Sequence, residues 1–322
     1  KRLDWGVTYF RSSNRVSFVD NPIYTGKEYE TYYLFNMRYP LDRVRSLRAS
    51  VGPRFNRVVI DAIDGPSLEA PDQKSTYGQL SMEYVYDNSI NPATNIWKGL
   101  RYKIFADLFT QLSDLNDTEG KFLFNVGFDA RHYLEIYRNC IWAVRAGGDF
   151  SWGEQKVVYY LGGVDNWFGP KFNDANRPDP NERYTYQSLA VNLRGFKQNV
   201  SNGNNALVIN SEIRLPVFAT LFNKPINNAF LRNFQLVQFF DLGAAWTGDP
   251  LNIERPNVIY ADPNTPVSIR LKAGGIGPFA GGYGFGARST LLGYFLRVDA
   301  AWEMKGFFRG KPMWYFAMGF DF

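Results

Sequence analysis

Apolar and polar residues alternate at period two along most of this chain, and nowhere do apolar residues gather into a long run. Such alternation marks strands, because successive side chains of an extended chain point to opposite faces. A membrane-spanning helix needs about 20 consecutive apolar residues, and no stretch approaches that. If the chain crosses a bilayer, it must do so as a closed barrel. Only helices and closed barrels give every backbone polar group a partner in lipid.

The pattern is clearest at the C-terminal end. In residues 312–322, Trp314, Phe316, Met318, Phe320 and Phe322 share one face, and Tyr315, Ala317, Gly319 and Asp321 share the other. In 294–304, Leu296, Val298 and Trp302 oppose Arg297, Asp299 and Glu303. Further strands are predicted at 2–12, 14–24, 28–40, 43–60, 75–88, 100–108, 121–134, 140–153, 155–164, 206–217, 234–246 and 283–292. Asn, Asp, Gly and Pro clusters separate them. Single-chain outer-membrane barrels use an even number of strands, from about 8 to 26 and beyond. Roughly sixteen strands are expected in all, with about fourteen in this chain. No linker or change of composition divides the sequence, so residues 1–322 read as one all-β domain, a transmembrane antiparallel β-barrel.

Alternation alone does not say which face is outside. A soluble barrel or sandwich hides its apolar face, whereas a membrane barrel turns it to lipid. Composition favours the membrane: aromatics are 17% of the chain, yet all hydrophobic residues together are only 45%. Aromatic girdles at two membrane interfaces use such a supply. Trp246, Trp302 and Trp314 fall near strand ends, where those girdles form. Glu212, Arg214, Asp241, Arg288, Arg297, Asp299 and Glu303 all fall on polar faces, as a wet lumen would allow. The chain also ends on an aromatic in a predicted strand, Phe322.

Several chemistries are excluded or disfavoured. A single cysteine, Cys140, forms no intrachain disulfide, and a single histidine, His132, builds no histidine cluster or triad. Cys140 is expected to start a strand, and His132 to sit on a strand face or end. No run of Lys or Arg suggests nucleic acid. Residues 173–179 are oxygen-rich like a calcium loop but lack the glycine and terminal glutamate of an EF-hand, so a solvated surface loop is the plainer alternative. Asp299 and Glu303 could imitate a hydrolase dyad, but such pairs are expected in a charged lumen. The glycines at 274–277 and 281–284 read as flexible turns, not phosphate loops, because no helix follows. No catalytic residue, metal site or cofactor is expected. The N-terminal residues are no signal peptide, and the chain reads as starting downstream of its export signal.

One motif series is more specific. Leu193-Arg194-Gly195-Phe196 follows a long polar segment, 165–192. Asn210-Ser211-Glu212-Ile213-Arg214-Leu215-Pro216 comes next, then Phe239-Phe240-Asp241-Leu242-Gly243. Gly282-Tyr283-Gly284-Phe285-Gly286-Ala287-Arg288 and Arg297-Val298-Asp299-Ala300-Ala301-Trp302 complete it. The succession resembles the last strands of the BamA/TamA and two-partner-secretion superfamily, the bacterial surface antigen barrels. Tyr86-Asp87-Asn88 with Pro92 and Gly99 resembles the family's strand–turn–strand element, with Ser89 where the family has Arg. The resemblance covers about 75–322. Within 188–246 it is most like a Bacteroidota branch in which a TolB-like propeller precedes the barrel.

The resemblance implies that Arg194, Gly195 and Phe196 form the tip of a loop folded into the lumen. Arg194 carries a planar five-donor fork, and Glu212 and Asp241 are candidate partners on the next two strands. Gly195 would permit a tight turn and Phe196 would wedge against the wall. The alternative is a solvated extracellular turn with no partner. The resemblance also implies a lateral gate between first and last strands. Only the last strand, about 312–322, is visible here, with Gly319 as its possible kink and Phe322 as its end. The expected function is help with protein insertion or export at the bacterial outer membrane. Expected partners are outer-membrane lipid, other outer-membrane proteins and a periplasmic or lipoprotein partner. The alternative is a structural anchor for a periplasmic propeller or partner complex. A passive porin is disfavoured, because an in-folded loop would obstruct it.

Overall fold

The computed structural model describes all residues except 1–2, 18–24, 113–121, 180–181, 183, 190–191, 223–224, 254–256, 262–267, 273–277 and 305–309. Its strands are β1 (Asp4–Ser17), β2 (Thr25–Pro40), β3 (Arg45–Ile60), β4 (Gln73–Asp87), β5 (Ile90–Ala93), β6 (Ile96–Gln111), β7 (Phe122–Tyr137), β8 (Cys140–Gly153), β9 (Lys156–Leu161), β10 (Tyr184–Leu189), β11 (Ser201–Gly203), β12 (Asn205–Pro216), β13 (Gln235–Trp246), β14 (Asn257–Ala261), β15 (Ser268–Lys272), β16 (Ala280–Leu291), β17 (Tyr294–Glu303) and β18 (Met313–Met318). Three short helices join them: α1 (Gly65–Glu69), α2 (Val217–Leu221) and α3 (Ala229–Arg232).

Thirteen strands form one antiparallel sheet, the barrel wall. Its path is β1-β2-β3-β4-β6-β7-β8-β12-β13-β16-β17-β18, with β5 added beside β6. Wall neighbours in space are thus neighbours in sequence, as hairpin connections require. Among the described residues no ladder joins β1 to β18. The sheet nevertheless curls on itself. Phe322, just past β18, packs against Ile96, Tyr133 and Ile141 of β6, β7 and β8.

The outer face is apolar and the inner face polar. Ile213, Leu236, Phe285 and Phe316 point outward and are 41%, 48%, 49% and 52% exposed. Their strand neighbours Arg214, Asp241, Arg288 and Arg297 point inward and are buried. This inverts the arrangement of a soluble sheet and is that of a transmembrane barrel.

Several elements differ from expectation. Residues 14–17 are not a separate strand but the continuation of β1, because Ser13 and Asn14 stay extended in register with Tyr29 and Glu28 of β2. Residues 18–24 of that predicted strand lie outside the described residues. The strand predicted at 155–164 exists as β9 but leaves the wall. It forms an inner sheet, β10-β9-β11, with β10 parallel to β9. The reason is its composition: Val157-Val158-Tyr159-Tyr160-Leu161 is apolar on both faces, and four of the five are buried. Trp246 is buried too, with its indole N–H on the Asp249 carbonyl at 3.0 Å, so it belongs to no lipid-facing girdle. The glycines at 281–284 lie inside β16 rather than in a turn, and those at 274–277 fall outside the described residues. The last strand stops at Met318, not at 322.

The facing assignment has a direct test. Phe316→Arg would place a charge on the lipid side and should cost about 2–4 kcal/mol. Urea unfolding of the barrel in lipid vesicles measures this, and an unchanged stability would show that Phe316 does not face lipid.

Candidate functional site

The connection from β8 to β12, residues 154–204, folds into the barrel. Its inner sheet packs on the wall in one apolar cluster. Val157, Tyr159, Leu161, Leu193 and Phe196 from the connection meet Phe109, Leu123, Ala206, Val208 and Ala245 from the wall. The Tyr159 hydroxyl donates to the Asn125 side chain at 2.6 Å. A second polar seam holds the loop base. Asn176 and Asn199 are both buried, and the Asn199 amide donates to the Asn173 carbonyl at 3.0 Å. Asn176 in turn donates to the Asn199 and Val200 carbonyls, each at 3.2 Å. The segment expected to be a solvated surface loop is thus in part an asparagine staple.

The loop tip docks on the inner face of the wall, against β12, β13, β16 and β18. Arg194 is 3% exposed. Its Nε and Nη2 donate to the two carboxylate oxygens of Asp241 at 2.7 and 2.8 Å, a bidentate fork. Its Nη1 lies 2.7 Å from Glu212 Oε1. Its backbone N–H also donates to Asp241, at 3.0 Å. The guanidinium sits 3.6 Å above the Phe239 ring, a cation–π contact. Asn210 donates to Asp241 Oδ1 at 2.8 Å and to the Asn192 carbonyl at 2.7 Å, tying the loop to β12 a second time.

Gly195 has φ +101°, and a Cβ there would lie 2.9 Å from the Trp302 carbonyl. Only glycine fits this turn without strain. Its N–H donates to the Tyr315 hydroxyl at 2.9 Å, and that hydroxyl donates to the Phe196 carbonyl at 2.7 Å. Phe196 is buried in the apolar cluster. Gly282 of β16 allows the tip to dock, because a Cβ there would collide with the Arg194 carbonyl.

A second charge cluster lies beside the first. Arg214 Nε donates to Glu212 Oε2 at 2.8 Å, so Glu212 bridges two arginines. Arg288 pairs with Asp299 at 2.8 Å and Asp321 at 2.9 Å, and Arg297 with Asp321 at 3.2 Å. Arg297 Nη2 also donates to the Asp165 carbonyl of the loop at 2.7 Å. Asp299 is therefore held by an arginine. His132 lies on the exposed outer face of β7, and Cys140 is the first residue of β8. Among the described residues no group of His, Cys, Asp and Glu could hold a metal.

The C-terminal residues require a correction. Gly319 and Phe322 were expected on the last strand, with Phe322 facing lipid. Gly319 instead has φ +110° and turns the chain out of β18. Asp321 and Phe322 then cross the lumen. The Asp321 N–H donates to Asn95 Oδ1 at 3.0 Å, and Asn95 Nδ2 donates back to Asp321 Oδ2 at 2.9 Å. Arg214 donates to the Phe322 carbonyl at 3.0 Å. The cause is Asp321, whose charge is held by Arg288 and Arg297 inside the barrel.

Tyr315, Asn95, Asp321 and Asp165 were not singled out from the sequence. Tyr315 did carry a signal, as a large polar-tipped residue on the inward face of a strand otherwise lined there by Met313 and Ala317.

No protein-family model and no curated protein matches this sequence. Solved structures do match. BamA from Haemophilus ducreyi lacking POTRA domains 1–3 aligns over 98% of this chain, at 13% identity and a TM-score of 0.57. The chain has the fold of a BamA-type barrel. It spans 58% of that BamA chain. CdiB from Acinetobacter baumannii aligns over 98% of this chain and 47% of its own, at 12% identity and a TM-score of 0.48.

Arg194→Ala would leave Asp241 and Glu212 without their shared cation, and breaking a buried pair in this way costs about 3–5 kcal/mol. The loop should become sensitive to limited proteolysis within 163–200, while circular dichroism shows unchanged strand content. Equal protease resistance in the variant would mean that Arg194 does not hold the loop.

Proposed function

We propose that this chain is an outer-membrane barrel of the insertase and translocator type, which assists insertion or export of other proteins. One observation carries the proposal: the edge of β18. This strand has six residues, against ten in β17 and twelve in β16. Its free edge takes up a backbone segment that is not a wall strand. Trp167 bridges to Ala317 in antiparallel fashion, and the Phe168 N–H donates to the Phe316 carbonyl at 2.8 Å. The Trp167 ring lies 4.7 Å from the Tyr315 ring. An edge able to pair with a loop is able to pair with a client strand by β-augmentation. The loop segment at 167–168 then acts as a removable cap on the acceptor edge. Its release is coupled to Arg194, because Tyr315 touches both Trp167 and the Gly195–Phe196 turn.

The fold likeness and the motif resemblance support the same function. They support an outer-membrane location, in which lipid, other membrane proteins and a periplasmic or lipoprotein partner would be its neighbours. The Bacteroidota branch and an upstream propeller rest on residues 188–246 alone. The other function in view is a structural anchor. It draws on the filled lumen, where the loop enters from one end and residues 319–322 cross at the other. That filling also argues against a passive porin.

A disulfide distinguishes these. Trp167→Cys with Ala317→Cys, in a Cys140→Ser background, locks the cap onto the edge. For an insertase, cells relying on this variant should lose outer-membrane proteins, and a reductant should restore them. For an anchor, the lock should change nothing. Depletion of the protein followed by quantification of the outer-membrane proteome gives the parallel result: broad loss for an insertase, or a single mislocalised partner for an anchor.

A further inference from the structure

At one end of the barrel the wall strands are joined mostly by tight turns: 41–44, 138–139 and 292–293. Short turns mark the periplasmic end of outer-membrane barrels. The connection between β12 and β13, residues 217–234, breaks this rule and contains α2 and α3.

This connection lies on the outside of the wall. Ser289 belongs to the outward row of β16, with Phe285 and Leu291, both 49% exposed. Yet Ser289 is buried, and its hydroxyl donates to the Phe230 carbonyl at 2.7 Å. α3 therefore covers the outer face there. At the other end, Arg138 of the β7–β8 turn donates to the Thr220 carbonyl at 3.0 Å and fixes α2. Phe218 and Phe230 pack on Phe234 at 5.7 and 6.0 Å between ring centres. Much of what this connection leaves uncovered is apolar: Leu221 is 69% exposed, Phe222 57%, Phe230 43% and Leu231 38%.

This ledge is continuous with the lipid-facing wall through Leu236 of β13 and Ile213 of β12. Its side chains are those that settle at membrane interfaces, aromatics and leucines. Arg232, in the last turn of α3, is an exposed cation that could pair with a lipid phosphate. We propose that residues 217–222 and 225–234 form a membrane-interface anchor whose apolar side lies in the headgroup–acyl boundary of the periplasmic leaflet. Interfacial helices bury their apolar faces by roughly 5–10 Å. The anchor fixes the height of β12 and β13, the two strands that carry Glu212 and Asp241. It rests on the barrel spanning a bilayer, not on any transport activity.

The test uses the full chain with Cys140→Ser, folded into vesicles of phosphatidylethanolamine and phosphatidylglycerol. Phe222→Cys, and separately Leu221→Cys, carry an environment-sensitive fluorophore. Lipids bear nitroxide quenchers either near the headgroup or deep in the acyl chain. The proposal expects blue-shifted emission, quenched more by the shallow probe than by the deep one. Water-like emission, unquenched by either, would overturn it and leave the ledge as a protein-binding surface. Phe316→Cys is the reference. If that site is quenched while Phe222 and Leu221 are not, the barrel stands and the anchor fails. If Phe316 is itself unquenched, the bilayer-spanning barrel fails first.

Discussion

A guanidinium removed from water loses hydration worth several kcal/mol, and only close, well-aimed acceptors replace it. Arg194 meets that condition with every part of its fork: two bonds to Asp241, one contact with Glu212 and an aromatic face beneath. The loop comes into the lumen because its tip finds there what water would otherwise supply. The wall in turn requires the tip, since Glu212 and Asp241 are themselves 1% and 0% exposed. Four buried arginines, 194, 214, 288 and 297, stand beside four buried carboxylates, 212, 241, 299 and 321. Within this cluster, loss of the loop alone or of the C-terminal hook alone would leave one charge uncompensated.

This balance links parts of the molecule far apart in sequence. Glu212 joins Arg194 of the loop to Arg214, and Arg214 reaches the Phe322 carbonyl. Asp321 joins Arg288 and Arg297, and Arg297 reaches the loop again at the Asp165 carbonyl. Loop, hook and β18 edge are thus one hydrogen-bonded unit. A change that frees the tip would weaken the cap at 167–168, because Tyr315 is shared between them. On the proposed insertase function, a client strand at β18 would compete with a short segment for a few backbone bonds, not with a full ladder.

Much of this was legible in the sequence, and the rest was hidden for physical reasons. Alternation gave the wall because lipid and lumen impose opposite demands on alternate residues. It also gave the inward row of Glu212, Arg214 and Asp241, and the Arg-Gly-Phe spacing pointed to the tip. What alternation does not encode is where a strand goes when both its faces are buried. The apolar run 157–161 carried that signal, since a continuous run marks a strand covered on both sides. The hook was missed because Phe320 and Phe322 continue the outward pattern of Trp314 and Phe316. One aspartate, Asp321, and its arginines override the pattern. The asparagine staple was missed because a run of polar residues reads as solvated unless its partners, here thirty residues downstream at most, are known.

The central claim is that Arg194 and Asp241 act as one pair and not as two separate lumenal charges. A double-mutant cycle tests it most directly, with Arg194→Met, Asp241→Leu and the two combined, each read by unfolding in lipid vesicles. The account predicts strong non-additivity: the double variant should lose little more stability than either single one, because each single change already strands a buried charge. Losses that simply add would contradict it and would make the contact between loop and wall incidental.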